Sequence, residues 1–345
     1  MRYCASLLAL CAAAVVAGPV SLSAAQAVSS ASGEWVVPRT PDGHPDLQGN
    51  WNNGTLTPFE RAEGRGPVFT SEEVVRREQR AVDRVVSGAQ PSDQDRPLLA
   101  AGGDIGSYND VYFERGLRVA IVNGEPRSSL ITNPPNGRRP PLTPEAERLR
   151  QERREFNRQF GEADHPENLS LTVRCLMFGS NVGPPMVPNG AYNNNYTIVQ
   201  TVDYVVIQAE VVHDTRIIRI GDGPRLPDHV RPWMGDSWGR WEGDTLVVET
   251  TNMYPLHTFR GIRPTKDLKV IERFTRVDQE TILYEFTIDD PTTYTEPWGG
   301  EIPMKTLHGQ LYEYACHEGN YSLAGILSGA RYQERMSSQN PDEPR

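Results

Sequence analysis

Cysteine is scarce in this chain, basic charge is in deficit, and past the first 27 residues no hydrophobic run approaches membrane-spanning length. Each shortage removes a class of function. A formal charge of −10, or −11 once Arg2 is lost with the leader, argues against nucleic acid and against an anionic membrane surface, since both need a basic face. A spanning helix requires ~20 apolar residues, so no membrane insertion is expected after the leader is cleaved. Metal-ligand spacings are missing as well. The seven histidines include no His-x-His or His-x-x-x-His pair, and no metal is expected. No Gly-x-Gly-x-x-Gly and no phosphate loop occurs, so no nucleotide cofactor is expected, and no organic cofactor of any kind. Serine-nucleophile chemistry is set aside too. The chain has no internal repeat.

What is present begins with a leader. Arg2 supplies a positive start, Leu7 to Val16 is uncharged and apolar, and Ala25-Gln26-Ala27 offers small residues where a signal peptidase cuts. The run is broken by Gly18-Pro19, unlike an anchor helix, and Leu10 before Cys11 excludes a lipoprotein site. A signal peptide over 1–27 and a periplasmic or secreted mature protein follow. Only Cys175 and Cys316 then remain, and an oxidising compartment favours a disulfide between them.

The mature chain of about 318 residues exceeds the ~100–200 of a usual single domain. Residues 28–165 read as an extended arm with helical decorations. The arm is rich in Pro, Gly, Asn and Asp, with Trp35 and Trp51 as pins. Thr70 and Glu73 form a capping box for a helix to Val86, and Thr143-Pro144 opens another to about Phe160. One or two strands are expected between Leu117 and Ile131.

Residues 166–330 read as a β domain and 331–345 as a flexible tail. Eight strands are expected, at 193–201, 203–220, 234–241, 245–252, 268–277, 281–290, 298–306 and 311–317. Glu242-Gly243-Asp244 and Asp278-Gln279-Glu280 are hairpin turns. Short loops make a meander, and eight such strands close into an antiparallel barrel with room for one small ligand. Two packed sheets are the alternative. In a closed barrel Cys175 and Cys316 would lie on neighbouring first and last strands, and their bridge would fasten the closure.

Three stretches carry a likeness. They are Pro38-Arg39-Thr40-Pro41-Asp42-Gly43-His44-Pro45-Asp46-Leu47-Gln48-Gly49-Asn50-Trp51; Trp233 through Gly235-Asp236-Ser237 and Trp241-Glu242-Gly243-Asp244-Thr245 to Thr251-Asn252; and Tyr312-Glu313-Tyr314-Ala315-Cys316-His317-Glu318-Gly319-Asn320-Tyr321. With them the chain resembles a family of secreted bacterial proteins, a likeness that brings no catalytic assignment. More loosely, the meander is similar to the lipocalin-like (calycin) superfamily, whose barrels mostly carry small lipophilic molecules; this is likeness of fold, which does not fix function.

The candidate chemistry follows from alternation along 203–220. Val205, Ile207, Ala209, Val211, His213, Thr215 and Ile217 share one face, opposite Glu210, Asp214 and Arg216. His213 is therefore expected in an apolar lining row, either as an acid–base group or as a core histidine bonded to a carbonyl. His317 is the second proton carrier. Glu210 and Asp236 complete the catalytic candidates, with Arg216, Trp238, Arg240, Trp241 and Tyr314 as substrate-binding residues. Trp241 and its turn have an equally direct structural reading. The expected function is an acid–base enzyme (lyase, isomerase or hydrolase) for a small lipophilic or aromatic molecule held in the barrel. A non-catalytic carrier and a structural envelope protein, the latter with a filled barrel, are the alternatives.

Overall fold

In the computed structural model, residues 35–91, 95, 113–178, 182–190 and 192–339 are described. The leader lies outside them. No helix among the described residues is long and apolar enough to cross a membrane.

The β domain is a closed barrel, but its strand count and one pairing differ from the expected meander. Strands β1 (Gly49–Asn52), β5 (Asn195–Gln200), β6 (Tyr204–Ala209), β7 (Thr215–Ile220), β8 (Asp236–Glu242), β9 (Thr245–Thr251), β10 (Lys269–Asp278), β11 (Thr281–Asp289) and β12 (Trp298–Thr306) form the ring. The short β2 (Ile121–Val122) and β3 (Glu125–Pro126) pair apart, and β4 (Ile131–Asn133) adds outside β12. Nine strands, not eight, make the barrel. It is mixed, because β7 and β8 run parallel.

Three corrections explain the difference. First, residues 311–317 form no strand; the ring is closed instead by β1, from the arm, pairing with β12 through Trp51↔Thr306 and Asn52↔Lys305. Second, the expected strand 203–220 is two strands. A turn at Val211–His213 takes left-handed backbone at Val212 (φ 64°) and His213 (φ 45°), a costly conformation for a β-branched residue. Third, that turn shifts the alternation. Val205, Ile207 and Ala209 face inward on β6, whereas Arg216 and Ile218 do so on β7. His213 and Ile217 are consequently exposed, and Arg216 is buried.

Elsewhere the expected elements form for the expected reasons. The helix α1 (Ser71–Gly88) starts at a capping box in which Thr70 Oγ1 accepts from the Glu73 N–H and Glu73 Oε2 from the Thr70 N–H. Thr143 caps α2 (Pro144–Asn157) with Pro144 in its first turn. The β8–β9 and β10–β11 turns fall at Gly243-Asp244 and Gln279-Glu280, and Gly243 supplies a positive φ of 59°. A third helix, α3 (Ser322–Gln339), covers much of the expected tail and has no buried residue.

The barrel interior is filled. Inward positions in register include Trp51, Tyr196, Ile198, Leu246, Val248, Phe274, Tyr284, Phe286, Trp298, Ile302 and Met304, all buried in one core cluster. Phe59 and Phe259 add to the rings around Trp298. From Val36 onward the described residues form one unit.

Candidate functional site

The parallel β7–β8 pair holds together only at Arg219↔Trp238 and Ile220↔Gly239. Toward the start of both strands they splay apart, and a cleft of about 610 Å³ occupies the gap. Its walls include Leu176, Val212, Leu226, Trp233 and Met234. His213, Asp214, Arg216, Asp236, Ser237 and His317 bring polar groups to it. Four of the residues picked from sequence alone, His213, Arg216, Asp236 and His317, thus meet in one place.

Each arrives by a different route. His213 and Asp214 come from the strained turn. Arg216 follows two residues later and points inward. Its guanidinium makes a fork of two bonds to Glu272, at 2.7 and 3.1 Å, with Arg216 3% and Glu272 0% exposed. The Tyr284 hydroxyl donates to Glu272 at 2.8 Å and accepts from the Met186 N–H at 2.8 Å. This buried pair, braced by Tyr284, is structural support for the cleft floor, with Arg216 Nε left without a partner among the described residues. His257, also buried, bonds through Nδ1 to the Trp233 carbonyl at 2.8 Å; burial, with the Arg216 charge nearby, lowers its pKa to about 4 and keeps the ring neutral.

Asp236 belongs to the outer surface of β8, where the 221–235 connection folds over it. It pairs with Arg219 and accepts the Leu226 N–H at 2.7 Å. Arg219 also lies over the Trp238 ring at 4.2 Å, so Trp238 is a wall-packing residue. Asp236 is thereby occupied in holding the connection.

Asp214 is the carboxyl of the cleft whose titration is moved by its surroundings. Burial raises its carboxyl to about 6, against the opposing effects of the Phe178 N–H at 3.2 Å and of His213. Nothing in the alternation pattern singled it out beyond its place opposite His213.

His317 is carried by a segment with no strand pairing. The Cys175–Cys316 disulfide (Cα–Cα 5.7 Å) fixes it, and the Asn320 side-chain amide donates to Cys175 Sγ at 3.0 Å. The bridge therefore does not fasten barrel closure, as a strand at 311–317 would have required. It pins the C-terminal segment beside the cleft.

The remaining candidates lie elsewhere. Arg240 pairs with Glu242 in solvent, and Trp241 stacks on His44 at 4.8 Å, both toward the far end of the seven-residue β8. Tyr314 is exposed. Glu210 faces a separate groove and shares the Asn195 amide with Glu114. Burial, then the neighbouring Glu210 charge, pushes Glu114 up to about 7. Glu114 sits in an aperiodic stretch, so no sequence pattern marked it.

Gly235-Asp236-Ser237-Trp238-Gly239 does carry the Gly-x-Ser-x-Gly spacing. An elbow nucleophile needs a sharp strand-to-helix turn, however, and Ser237 lies in strand β8, buried, with its hydroxyl 2.8 Å from that of Thr250. Among the described residues no cluster of three or more His, Cys, Asp or Glu is arranged to hold a metal ion. Comparison with family models, with curated proteins and with solved structures gives no match for this chain.

Proposed function

We propose that this chain is an exported acid–base enzyme that uses no organic cofactor and acts on a small lipophilic or aromatic molecule in the β7–β8 cleft. Lyase or isomerase chemistry fits best. One observation carries the reading: a carboxyl raised to about 6 shares a largely apolar cleft with two imidazoles. Such a carboxyl is mostly ionised at neutral pH yet more basic than a solvated one, which suits proton abstraction. Asp214 takes a proton from the bound molecule and His213 returns one at a second atom. His317 closes the open side. Export agrees with the disulfide, with the leader-like first 27 residues and with the resemblance to secreted bacterial proteins. The filled interior weighs against a carrier that would hold its cargo inside the barrel.

Proton transfer is testable without knowing the natural substrate. Wild-type protein in D2O is incubated with a panel of small aromatic ketones and lactones, and exchange of their acidic C–H positions is followed by NMR. Exchange above buffer is expected for at least one compound, and Asp214→Asn is expected to reduce it to background with the melting temperature preserved. Equal exchange by wild type and Asp214→Asn across the panel would overturn the assignment.

A further inference from the structure

A second concave surface lies on the outside of the barrel, where the wall formed by β1, β5, β6 and β7 meets the segment 310–313. The groove measures about 610 Å³. Its floor is a row of four residues in register: Asn50 opposite Thr197, Thr197 opposite Gln208, and Gln208 opposite Thr215. Because neighbouring strands are ~4.8 Å apart, the row runs ~14 Å across the wall, long enough for about three linked pyranose rings.

The row's chemistry is uniform. Every member is a neutral amide or hydroxyl, able both to donate and to accept. Part of that capacity orders the row itself. Thr197 Oγ1 donates to Asn50 Oδ1 at 2.8 Å, Asn50 Nδ2 to the Gly309 carbonyl at 2.8 Å, and Thr215 Oγ1 to the His213 carbonyl at 3.0 Å. Gln208, in the middle, is exposed and has no side-chain partner among the described residues.

Beside this polar row runs an apolar one, two residues along each strand. Val199 faces Val206, and Val206 faces Ile217. Val199 is 47% and Ile217 59% exposed. Over the rim stands Tyr312, 79% exposed. A parallel pair of rows, one of hydrogen-bonding groups and one of methyls, with an aromatic ring at the edge, matches a ligand that alternates hydroxyl edges with C–H faces.

Other ligand classes fit less well. An extended peptide would add to a sheet edge, but β1, β5 and β6 are each paired on both sides, and the open edge of β7 borders the cleft. An anionic polymer would meet Glu210 and Glu313 and no lysine or arginine in the lining. We propose that this groove binds a strand of neutral polysaccharide, laid across β1, β5, β6 and β7. His213 borders both the groove and the cleft, but the proposal stands on the row and is independent of any reaction in the cleft.

The mature protein is titrated calorimetrically with β-1,4-linked glucose and N-acetylglucosamine oligomers of increasing length, and sedimented with cellulose, chitin and peptidoglycan. Affinity for at least one series should rise about tenfold or more from one ring to three and then level off. Gln208→Ala and Tyr312→Ala should each weaken binding of the trimer by about fivefold without changing the melting temperature, because both side chains are exposed. Failure of every glycan to bind would overturn the proposal. So would equal affinity for one ring and three, binding indifferent to both substitutions, or extended peptides binding in place of glycans.

Discussion

Two places in the barrel wall are joined by only two residue pairs each. Where β1 meets β12, the seam is covered by the arm. Leu47 is fully buried, the Trp51 indole donates to the Leu47 carbonyl at 3.0 Å, Gln200 clamps Leu47 and Pro45, and Arg276 donates to the Asp46 carbonyl at 2.7 Å. Where β7 meets β8, no such plug exists among the described residues. The gap is lined by ionisable groups and edged by a disulfide-held segment. A short β pairing is tolerated when something else removes its neighbours from water, and the two seams solve that differently. The first uses apolar surface and backbone bonds, which demand one arrangement. The second uses a buried ion pair and leaves polar side chains facing a cavity, which is what a site for chemistry requires. The first two resemblance motifs follow this division. Arg39 bonds Asp244 at 2.7 Å and His44 stacks on Trp241, so much of their shared content serves the plugged end.

Breaking the ion pair of the open seam should have the largest effect. Glu272→Ala strands the Arg216 charge in the interior and is expected to cost ~3–5 kcal/mol, whereas the paired change Arg216→Met with Glu272→Leu should recover most of it. Urea unfolding of the three proteins measures both numbers. If the double variant is as unstable as the single one, the pair does more than satisfy itself.

At the plugged seam, Trp51→Ala should cost a comparable ~3–5 kcal/mol through cavity formation, but with no rescue by a second polar change. Equilibrium unfolding monitored by far-UV circular dichroism checks this. A loss below 1 kcal/mol would mean that the arm is dispensable for closure.

A smaller loss is expected for Cys316→Ser, ~2–4 kcal/mol, since the bridge spans 141 residues but anchors a segment without strand pairing. Hydrogen exchange should quicken over residues 310–321 and remain slow in β8 to β12. Uniform loss of protection across the barrel would contradict the pinning role.

The smallest effect is the pH dependence of Asp214. Its folded pKa of about 6 exceeds its ordinary 3.8, so the native state holds the proton more tightly than the unfolded chain does. The carboxylate therefore costs stability above about pH 6, and the cost fades as pH falls through 6 toward 3.8. Asp214→Asn should be more stable than wild type by ~1 kcal/mol at pH 8, with most of the gap closed by pH 4. Denaturation at the two pH values measures the gap, and a constant difference would remove the raised pKa from the account of the site.

Much of this was legible in the residues. Strand alternation from 234 to 306, the two short hairpin turns, both N-caps and the cysteine pair are local or compositional signals, and each led to the observed feature, whereas alternation over 203–220 did not survive the break at Val211–His213. His213, Arg216, Asp236 and His317 are polar or titratable residues that the sequence places in or beside expected strands, and the fold brings them to one cleft. The roles differ from those expected. His213 is exposed and Arg216 is buried, because period-2 alternation says which residues share a face only while a strand stays unbroken; Arg240 and Trp241 lie at the wrong end of β8, because alternation assigns a face and not a position along the strand.

Local propensity and pattern, then, determined that this chain would be a turn-rich β protein with a bridge between Cys175 and Cys316, since those depend on residues within a few positions or on cysteine content alone. Tertiary structure decided the rest. The ninth strand came from an arm with no strand period, because four residues can be recruited by hydrogen bonds that an open barrel edge offers whatever their own preference. The direction of Arg216 was set by left-handed backbone at Val212 and His213, which no L-residue favours and only surrounding contacts can impose. The raised carboxyl of Asp214 likewise depends on burial by residues from elsewhere in the chain, a quantity that exists only after folding.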